Sequence, residues 1–217
     1  GVVLPLSFAA GLLFSFDTLL CGGTIVLLEP RELGVERLLG RFRDDDVNVL
    51  VCTPHLLRSI IGSQNAPGSH GTAAGTAPVL GGLRFLMTTG ESVTGADLAA
   101  ARPHLDPDTL LLNAFGSSET ACVAYCPVAP GEPVPEGVVP AGWPLPGKTV
   151  LVLREDGSRA DPGETGELVV VSDALTAGYW GAPEKTAERA GRTGEAEAAA
   201  GIPVGTPSWR QGDLARV

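Results

Sequence analysis

The chain has 217 residues, 44% of them hydrophobic and 18% charged, and carries a net charge of −10. That is a globular composition, long enough for one large domain or two modest ones with a real core, and not that of a disordered chain. The acidic balance argues against nucleic acid as a partner, and no apolar run approaches the roughly 18 residues that a membrane span needs.

The opening Gly1-Val2-Val3-Leu4-Pro5 lacks a basic segment, so no signal peptide is expected there. Ala9 to Cys21 reads as an apolar helix, and Thr24 to Leu28 as a fully buried strand. Leu33 to Arg43 follows as an amphipathic helix with Leu33, Leu38, Leu39 and Phe42 on one face. Asn48 to Val51 is the next strand, and Pro54 opens a helix to about Ile61. Gly62 to Pro78, rich in Gly, Ser, Ala and Pro without periodicity, reads as a mobile surface loop. Strands over Arg84 to Thr88 and Thr109 to Leu112 flank a helix over Ala96 to Ala101. This alternation predicts a parallel sheet covered by helices on both faces.

Residues 127–146 are rich in Pro and Gly and read as an ordered connector. Beyond them, Thr149 to Leu153 and Glu167 to Val171 are β-branched runs, with Glu155-Asp156-Gly157 as a hairpin turn. Residues 149–180 therefore read as a small antiparallel β unit, and Pro183 to Pro207 as part helix, part loop. The four cysteines, Cys21, Cys52, Cys122 and Cys126, have apolar neighbours and no CxxC or Cys/His cluster. They are expected to be reduced, buried packing residues, which points to a cytoplasmic location.

Two short motifs bear on chemistry. Gly142-Trp143-Pro144-Leu145-Pro146-Gly147-Lys148-Thr149 matches the Walker A phosphate-loop string at every fixed position. Such a loop works by leading into a helix whose free N–H groups hold phosphate. Here Lys148 leads into a strand, and Pro144 and Pro146 delete two donors, so the match is a coincidence. The second motif is Asn113-Ala114-Phe115-Gly116-Ser117-Ser118-Glu119. It presents an aromatic ring, a tight glycine turn, two hydroxyls and a carboxylate at the carboxyl end of a buried strand, where open α/β sheets place their ligands. Those residue types suit a nucleotide with Mg²⁺.

That heptad is the second of four ordered blocks. Before it stands Leu83 to Ser92, ending in Thr88-Thr89-Gly90-Glu91-Ser92; after it come Gly166 to Val170 with Ala177 to Glu188, then Trp209-Arg210-Gln211-Gly212-Asp213-Leu214. In this order and spacing the blocks resemble the adenylate-forming enzymes: acyl- and aryl-CoA ligases, luciferases and nonribosomal peptide synthetase adenylation domains. The resemblance implies a flavodoxin-like α/β subdomain over 1–126, carrying the acyl and adenine site. Over 127–217 it implies part of a small antiparallel β-barrel subdomain that ends at the ribose-binding aspartate. It further implies ATP and Mg²⁺, and a phosphopantetheine thiol, from coenzyme A or a carrier protein, as acceptor.

By the same resemblance, Phe115 stacks on adenine in place of the usual Tyr, with Gly90, Glu91, Asn113 and Gly116 around it. Ser118 hydrogen-bonds the α-phosphate, Glu119 holds Mg²⁺, and Asp213 accepts from both ribose hydroxyls. Tyr179 and Trp180 read as core packing. Three positions depart from the family pattern. Ser117-Ser118 stands for Pro-Thr, Gln211 for Thr, and Trp143 for Arg or Lys.

Family members that activate α-amino acids hold the ammonium with an aspartate on the first helix. Counting back from Cys21-Gly22-Gly23-Thr24, that place falls at Ala9, with no carboxylate near it. The implied pocket is Phe8, Ala9, Leu13, Val51, Met87, Thr89, Ala114 and Cys122, nearly all apolar. An unpaired ammonium is costly to bury against such a wall. The expected substrate is a carboxylic acid without an α-ammonium: acyl, aryl, keto or hydroxy. No Ser/Thr/Gly-rich phosphate loop and no distal catalytic Lys domain occur in the sequence. The chain thus reads as the second half of a large N-terminal domain, with the rest of its own polypeptide as partner. Two other readings stand beside this one: a non-catalytic adenylation-like scaffold, and a flavodoxin-like binder of another nucleotide.

Overall fold

The computed structural model describes residues 1–64, 78–198 and 201–216. The chain divides into two units, Gly1–Gly116 with Ala124–Trp143, and Ser117–Val123 with Pro144–Val217.

In the first unit, α1 spans Ala9–Leu20. The hydroxyls of Ser15 and Thr18 donate back to the carbonyls of Gly11 and Phe14, at 2.6 and 2.7 Å, which satisfies them inside the helix. Gly11 has to be glycine, because a Cβ there would run into the carbonyls of Leu4 and Pro5. Only Gly11 and Ser15 of α1 are buried, whereas Leu12, Leu13, Phe16, Leu19 and Leu20 are exposed. The fully buried strand expected over Thr24 to Leu28 does not form. Among the described residues Leu27 makes one isolated parallel bridge, with Val2, and it is 61% exposed.

Helix α2, Pro30–Asp44, is broken at Gly34, whose φ of 70° and ψ of 166° are not helical. Past the break, Leu38, Leu39 and Phe42 form the buried face that their spacing predicts. Strand β1 (Val49–Cys52) leads into α3 (Pro54–Gln64), and β2 (Phe85–Thr89) into α4 (Gly95–Ala101). Residues 65–77, most of the loop expected over Gly62 to Pro78, lie outside the described residues. A capping box starts α4: the Thr94 hydroxyl accepts from Asp97 N, and the Asp97 carboxylate accepts from Thr94 N.

Strand β3 runs over Leu110–Ser117 and β4 over Ala121–Val128, followed by β5 at Trp143–Pro144; the sheet order is β1-β2-β3-β4-β5. Pairing of β1 with β2 and of β2 with β3 is parallel, as expected. Only a short turn, 118–120, joins β3 to β4, so the sheet is mixed and not purely parallel. The same pairing corrects the reading of the heptad. Asn113 to Ser117 all lie within β3, Gly116 included, and the turn comes two residues after it. A core of Leu38, Leu50, Leu57, Ile60, Leu86, Leu98 and Leu111, with their neighbours, holds this unit together.

In the second unit, β6 (Thr149–Leu153) and β7 (Thr165–Val171) form the expected antiparallel pair. After them come α5 (Pro183–Arg189), β8 (Ala190–Arg192), α6 (Glu195–Ala198) and β9 (Pro207–Arg216). The sheet order is β6-β7-β9-β8; it is open, and among the described residues no barrel closes. Its own small core contains Leu151, Leu153, Val169, Val171 and Ile202.

The four cysteines form no disulfide. Cys52 and Cys126 are buried and Cys122 is half-buried, but Cys21, at the end of α1, is exposed, against the packing role expected of it. Burial pushes the Cys52 thiol up to about 12. No helix among the described residues is long and apolar enough to cross a membrane.

Candidate functional site

The parallel strands of the first unit deliver two of the expected segments to their carboxyl ends. Thr88 and Thr89 of β2 lie beside Asn113 and Ala114 of β3. Gly90 follows at φ 87°, a left-handed conformation that suits glycine, and Glu91 comes next; both are exposed. Asn113 is buried, with its amide committed to the fold: Nδ2 donates to Pro140 O at 3.0 Å, and the Thr88 hydroxyl lies 3.5 Å from Oδ1. Phe115 is half-buried and Gly116 continues the strand.

Of the expected acyl-pocket residues in this unit, Thr89 and Ala114 are buried, and Ala9, Val51 and Met87 half-buried. Phe8, the residue that caps α1, is 65% exposed and Leu13 37%. A cavity of about 590 Å³ opens at the other end of β1, lined among others by Val2, Gly11, Phe14, Thr18, Asn48 and Val51. Of the eight expected pocket residues only Val51 lines it, so this cavity is not the expected pocket.

In the second unit, the turn Ser118-Glu119-Thr120 is anchored atom by atom. Thr120 is fully buried, and its hydroxyl lies 3.1 Å from that of Ser117. Gln211 Nε2 donates to the same Thr120 hydroxyl at 2.7 Å. Lys148 Nζ donates to the carbonyls of Thr120 and Ala174, at 2.8 and 2.7 Å. Burial lowers the Lys148 ammonium from its ordinary value, against the opposing influence of Cys122, a half-buried member of the expected pocket. Ala121, directly after the turn, has φ 56°, a left-handed conformation that is strained for a residue with a side chain.

Ser118 is exposed and Glu119 half-buried. Glu119 N donates to the Ser117 hydroxyl at 3.2 Å, Glu119 O accepts from Thr176 N at 2.7 Å, and Glu119 Oε1 accepts from the Tyr179 hydroxyl at 2.7 Å. Burial would raise the Glu119 carboxyl, but the hydrogen bonds from Tyr179 and within the turn outweigh it and hold the group below its usual value. An ionised single carboxylate of this kind fits Mg²⁺, which takes one or two carboxylates and fills its shell with phosphate oxygens and water. No cluster of three or more His, Cys, Asp or Glu occurs among the described residues, so nothing resembles an all-protein cage for another metal.

Asp213 is placed by a bulge. Val169 pairs with Arg210 and Glu167 with Leu214, so Leu168 alone on β7 spans the interval filled on β9 by Gln211, Gly212 and Asp213. Gly212, at φ 81°, makes the bulge, and a Cβ there would collide with the Arg189 guanidinium. Asp213 is exposed. The Gln211–Thr120 hydrogen bond ties this bulge to the Glu119 turn, bringing Ser118, Glu119 and Asp213 into one anchored assembly.

The same unit holds residues whose part the sequence reading missed. Tyr179 is not core packing; it is 40% exposed, its ring meets Trp209 edge-on at 5.5 Å, and its hydroxyl holds Glu119. Trp180, also read as core, is fully exposed. Lys148 is no phosphate-loop lysine, since two backbone carbonyls engage it.

The family model of the AMP-binding enzymes matches residues 2–180. The chain belongs to this family. AMP-binding relatives include a D-alanine–D-alanyl carrier protein ligase of Streptococcus equi, 28% identical over 85% of this chain and 34% of the relative. A probable non-canonical nonribosomal peptide synthetase, CymA of Salinispora arenicola, is 32% identical over 90% of this chain and 2% of its own. The AMP-binding fold matches that of CmiS6 with a TM-score of 0.80 at 23% identity, over 99% of this chain and 48% of that one. It also matches the N-terminal subdomain of Klebsiella oxytoca NpsA, a structure in complex with 3-hydroxybenzoyl-AMSN, with a TM-score of 0.74 at 21% identity, over 99% and 50% of the two chains. The chain thus spans about a third of the first of these relatives and half or less of the others. The AMP-binding family is the adenylate-forming superfamily that the four ordered blocks resemble.

Proposed function

We propose that this chain is the portion of an adenylate-forming enzyme that activates a carboxylic acid lacking an α-ammonium with ATP, for transfer to a thiol. The observation that carries this reading is the assembly of the Glu119 turn with the Gln211–Asp213 bulge through the Gln211–Thr120 hydrogen bond. It supplies an exposed hydroxyl at Ser118, an ionised carboxylate at Glu119 and an acceptor at Asp213, which are groups suited to phosphate, metal and ribose. In this reading Phe115 stacks on adenine, with Gly90, Glu91 and Gly116 at the base edge. Asn113, whose amide is committed to Pro140 and Thr88, shapes the strand end.

The acid attacks the α-phosphate and pyrophosphate leaves; the acyl-adenylate then passes its acyl group to a phosphopantetheine thiol, which loses its proton as AMP leaves. Bound Mg²⁺ supplies charge neutralisation on the phosphates. The chain's own residues position the reactants, which is where most of the rate of such reactions comes from. For the acid, the reading rests on Ala9 at the start of α1 and on the apolar Met87, Ala114 and Val51, with no carboxylate to pair an ammonium. The thiol acceptor is a carrier protein or coenzyme A, and the location cytoplasmic. The carrier reading is supported by the ligase relative's name, in which the acceptor is a carrier protein.

The remainder of the site is proposed to lie elsewhere in a longer polypeptide, so this chain by itself has negligible activity. ATP–pyrophosphate exchange tests both parts of the proposal. The isolated chain is expected to give none, and the polypeptide containing it to give exchange with acyl or aryl acids but not with α-amino acids. Normal turnover by the isolated chain, or a preference for α-amino acids, contradicts it. A second reading, a non-catalytic adenylation-like scaffold, is favoured by Ser117-Ser118 and Gln211 standing where the family has Pro-Thr and Thr. Absence of exchange from the longer polypeptide with any acid supports that alternative.

A further inference from the structure

We propose that Tyr179 is the positioning residue of the metal-binding carboxylate: its hydroxyl takes one oxygen of Glu119 and fixes the orientation in which the other is offered to a Mg²⁺–nucleotide. The proposal rests on the reading of Glu119 as the Mg²⁺ ligand.

Both members of the pair are fixed independently of their mutual hydrogen bond. On the Glu119 side, the backbone carbonyl accepts from Thr176 N at 2.7 Å and the amide donates to Ser117 Oγ. On the Tyr179 side, the backbone N–H donates to Thr186 Oγ1 at 2.9 Å, and Thr186 itself donates to Ala182 O. The ring packs edge-on against Trp209, at an interplanar angle of 70°; Trp209 is buried in β9. Gly178 makes the approach possible, since at φ 129° a Cβ would run into the Thr186 side chain. The phenol is therefore delivered to Glu119 Oε1 by a preset frame, across 60 residues of sequence.

Such a frame has a physical consequence for a metal ligand. A free glutamate side chain loses rotamer entropy when it is fixed. Tyr179 removes part of that loss before the metal arrives, and preorganisation of this sort appears as affinity. Outer hydrogen-bond partners of metal-ligating groups typically contribute 10–100-fold to metal affinity. The neighbouring Trp180 is fully exposed, and of the Tyr-Trp pair it is the tyrosine whose hydroxyl reaches Glu119.

The test uses the longer polypeptide containing this chain, with Mn²⁺ as an electron-paramagnetic probe bound together with a nonhydrolysable ATP analogue. Tyr179→Phe keeps the ring against Trp209 and removes only the hydroxyl. It is expected to weaken Mn²⁺ binding by about tenfold, while affinity for the metal-free analogue stays at the wild-type value. Glu119→Gln is the reference for loss of the ligand itself. If Glu119→Gln weakens Mn²⁺ binding and Tyr179→Phe does not, the positioning role is overturned and the metal reading stands. If Glu119→Gln leaves Mn²⁺ affinity unchanged, the metal reading falls and the proposal with it. Should Tyr179→Phe instead weaken metal-free and metal-bound analogue equally, the hydroxyl is a general tether and the proposal is also overturned.

Discussion

Gln211 donates its side-chain amide to the Thr120 hydroxyl at 2.7 Å, joining residues 91 apart in sequence. Thr120 is fully buried at the end of the Glu119 turn, and Gln211 opens the bulge that carries Asp213. Where the family usually has Thr, the longer Gln amide here acts as the tie between two candidate ligand groups. Gln211→Ala leaves Thr120 its contact with Ser117, so the expected loss is the net value of one hydrogen bond, about 1 kcal/mol. Urea unfolding of wild type and variant measures it. A variant as stable as wild type contradicts the tie.

Lys148 is a structural tie and not a phosphate-loop lysine. Its ammonium holds two backbone carbonyls, Thr120 O and Ala174 O. Lys148→Met is expected to destabilise the chain by about 1.5–3 kcal/mol, the range for hydrogen bonds to a charged group, with Lys148→Arg restoring part of it. The readout is again the urea midpoint. Loss of phosphate affinity in a Lys148→Met variant of unchanged stability would instead revive a phosphate-loop role.

The start of α4 depends on the reciprocal Thr94–Asp97 cap, and Asp97 also receives Arg58 Nε and Nη2, each at 2.8 Å. The Arg58 guanidinium, together with Thr94, holds the Asp97 carboxyl well below the usual carboxylate range. Thr94→Ala is expected to cost about 1 kcal/mol, the usual value of an N-cap. Because the Asp97 value is depressed in the fold, its contribution is present above the unfolded carboxylate value and fades as pH falls below it. Denaturant titration of Asp97→Asn against wild type should therefore show a gap at neutral pH that narrows in acid. A gap that widens in acid contradicts the assignment.

His104 is buried, with Nδ1 unpartnered among the described residues, and burial lowers its value from the ordinary 6.5. The unfolded chain therefore takes up the proton first, so stability is lost as pH falls through 6.5 towards the folded value. The melting temperature is expected to drop between about pH 7 and pH 5, and the drop to be smaller in His104→Phe. Identical pH profiles for the two proteins would rule out His104 as a source of the dependence.

Much of the architecture was legible because it follows from periodicity. The buried faces of α2 and α3, the parallel strands β1 to β3 and the β6–β7 pair all sit where apolar spacing puts them. What escaped was set by partners distant in sequence. Thr24 to Leu28 has strand composition, yet among the described residues its one bridge is from Leu27 to Val2. Gly116 has turn composition, yet it lies within β3. The site residues were recognisable through the four ordered blocks, but their fastening was not. An aromatic such as Tyr179 reads as packing until its hydroxyl is seen on Glu119, and no local pattern announces that Gln211 or Lys148 reaches Thr120.

In the proposed reading the chain forms part of an acyl-adenylate site. Calorimetric titration of the longer polypeptide with a nonhydrolysable acyl-adenylate analogue, for wild type and Asp213→Ala, tests it. Wild type is expected to bind and Asp213→Ala to bind at least about tenfold more weakly, since an acceptor aimed at two hydroxyls would be lost. No binding by wild type, or equal binding by both proteins, would contradict the account.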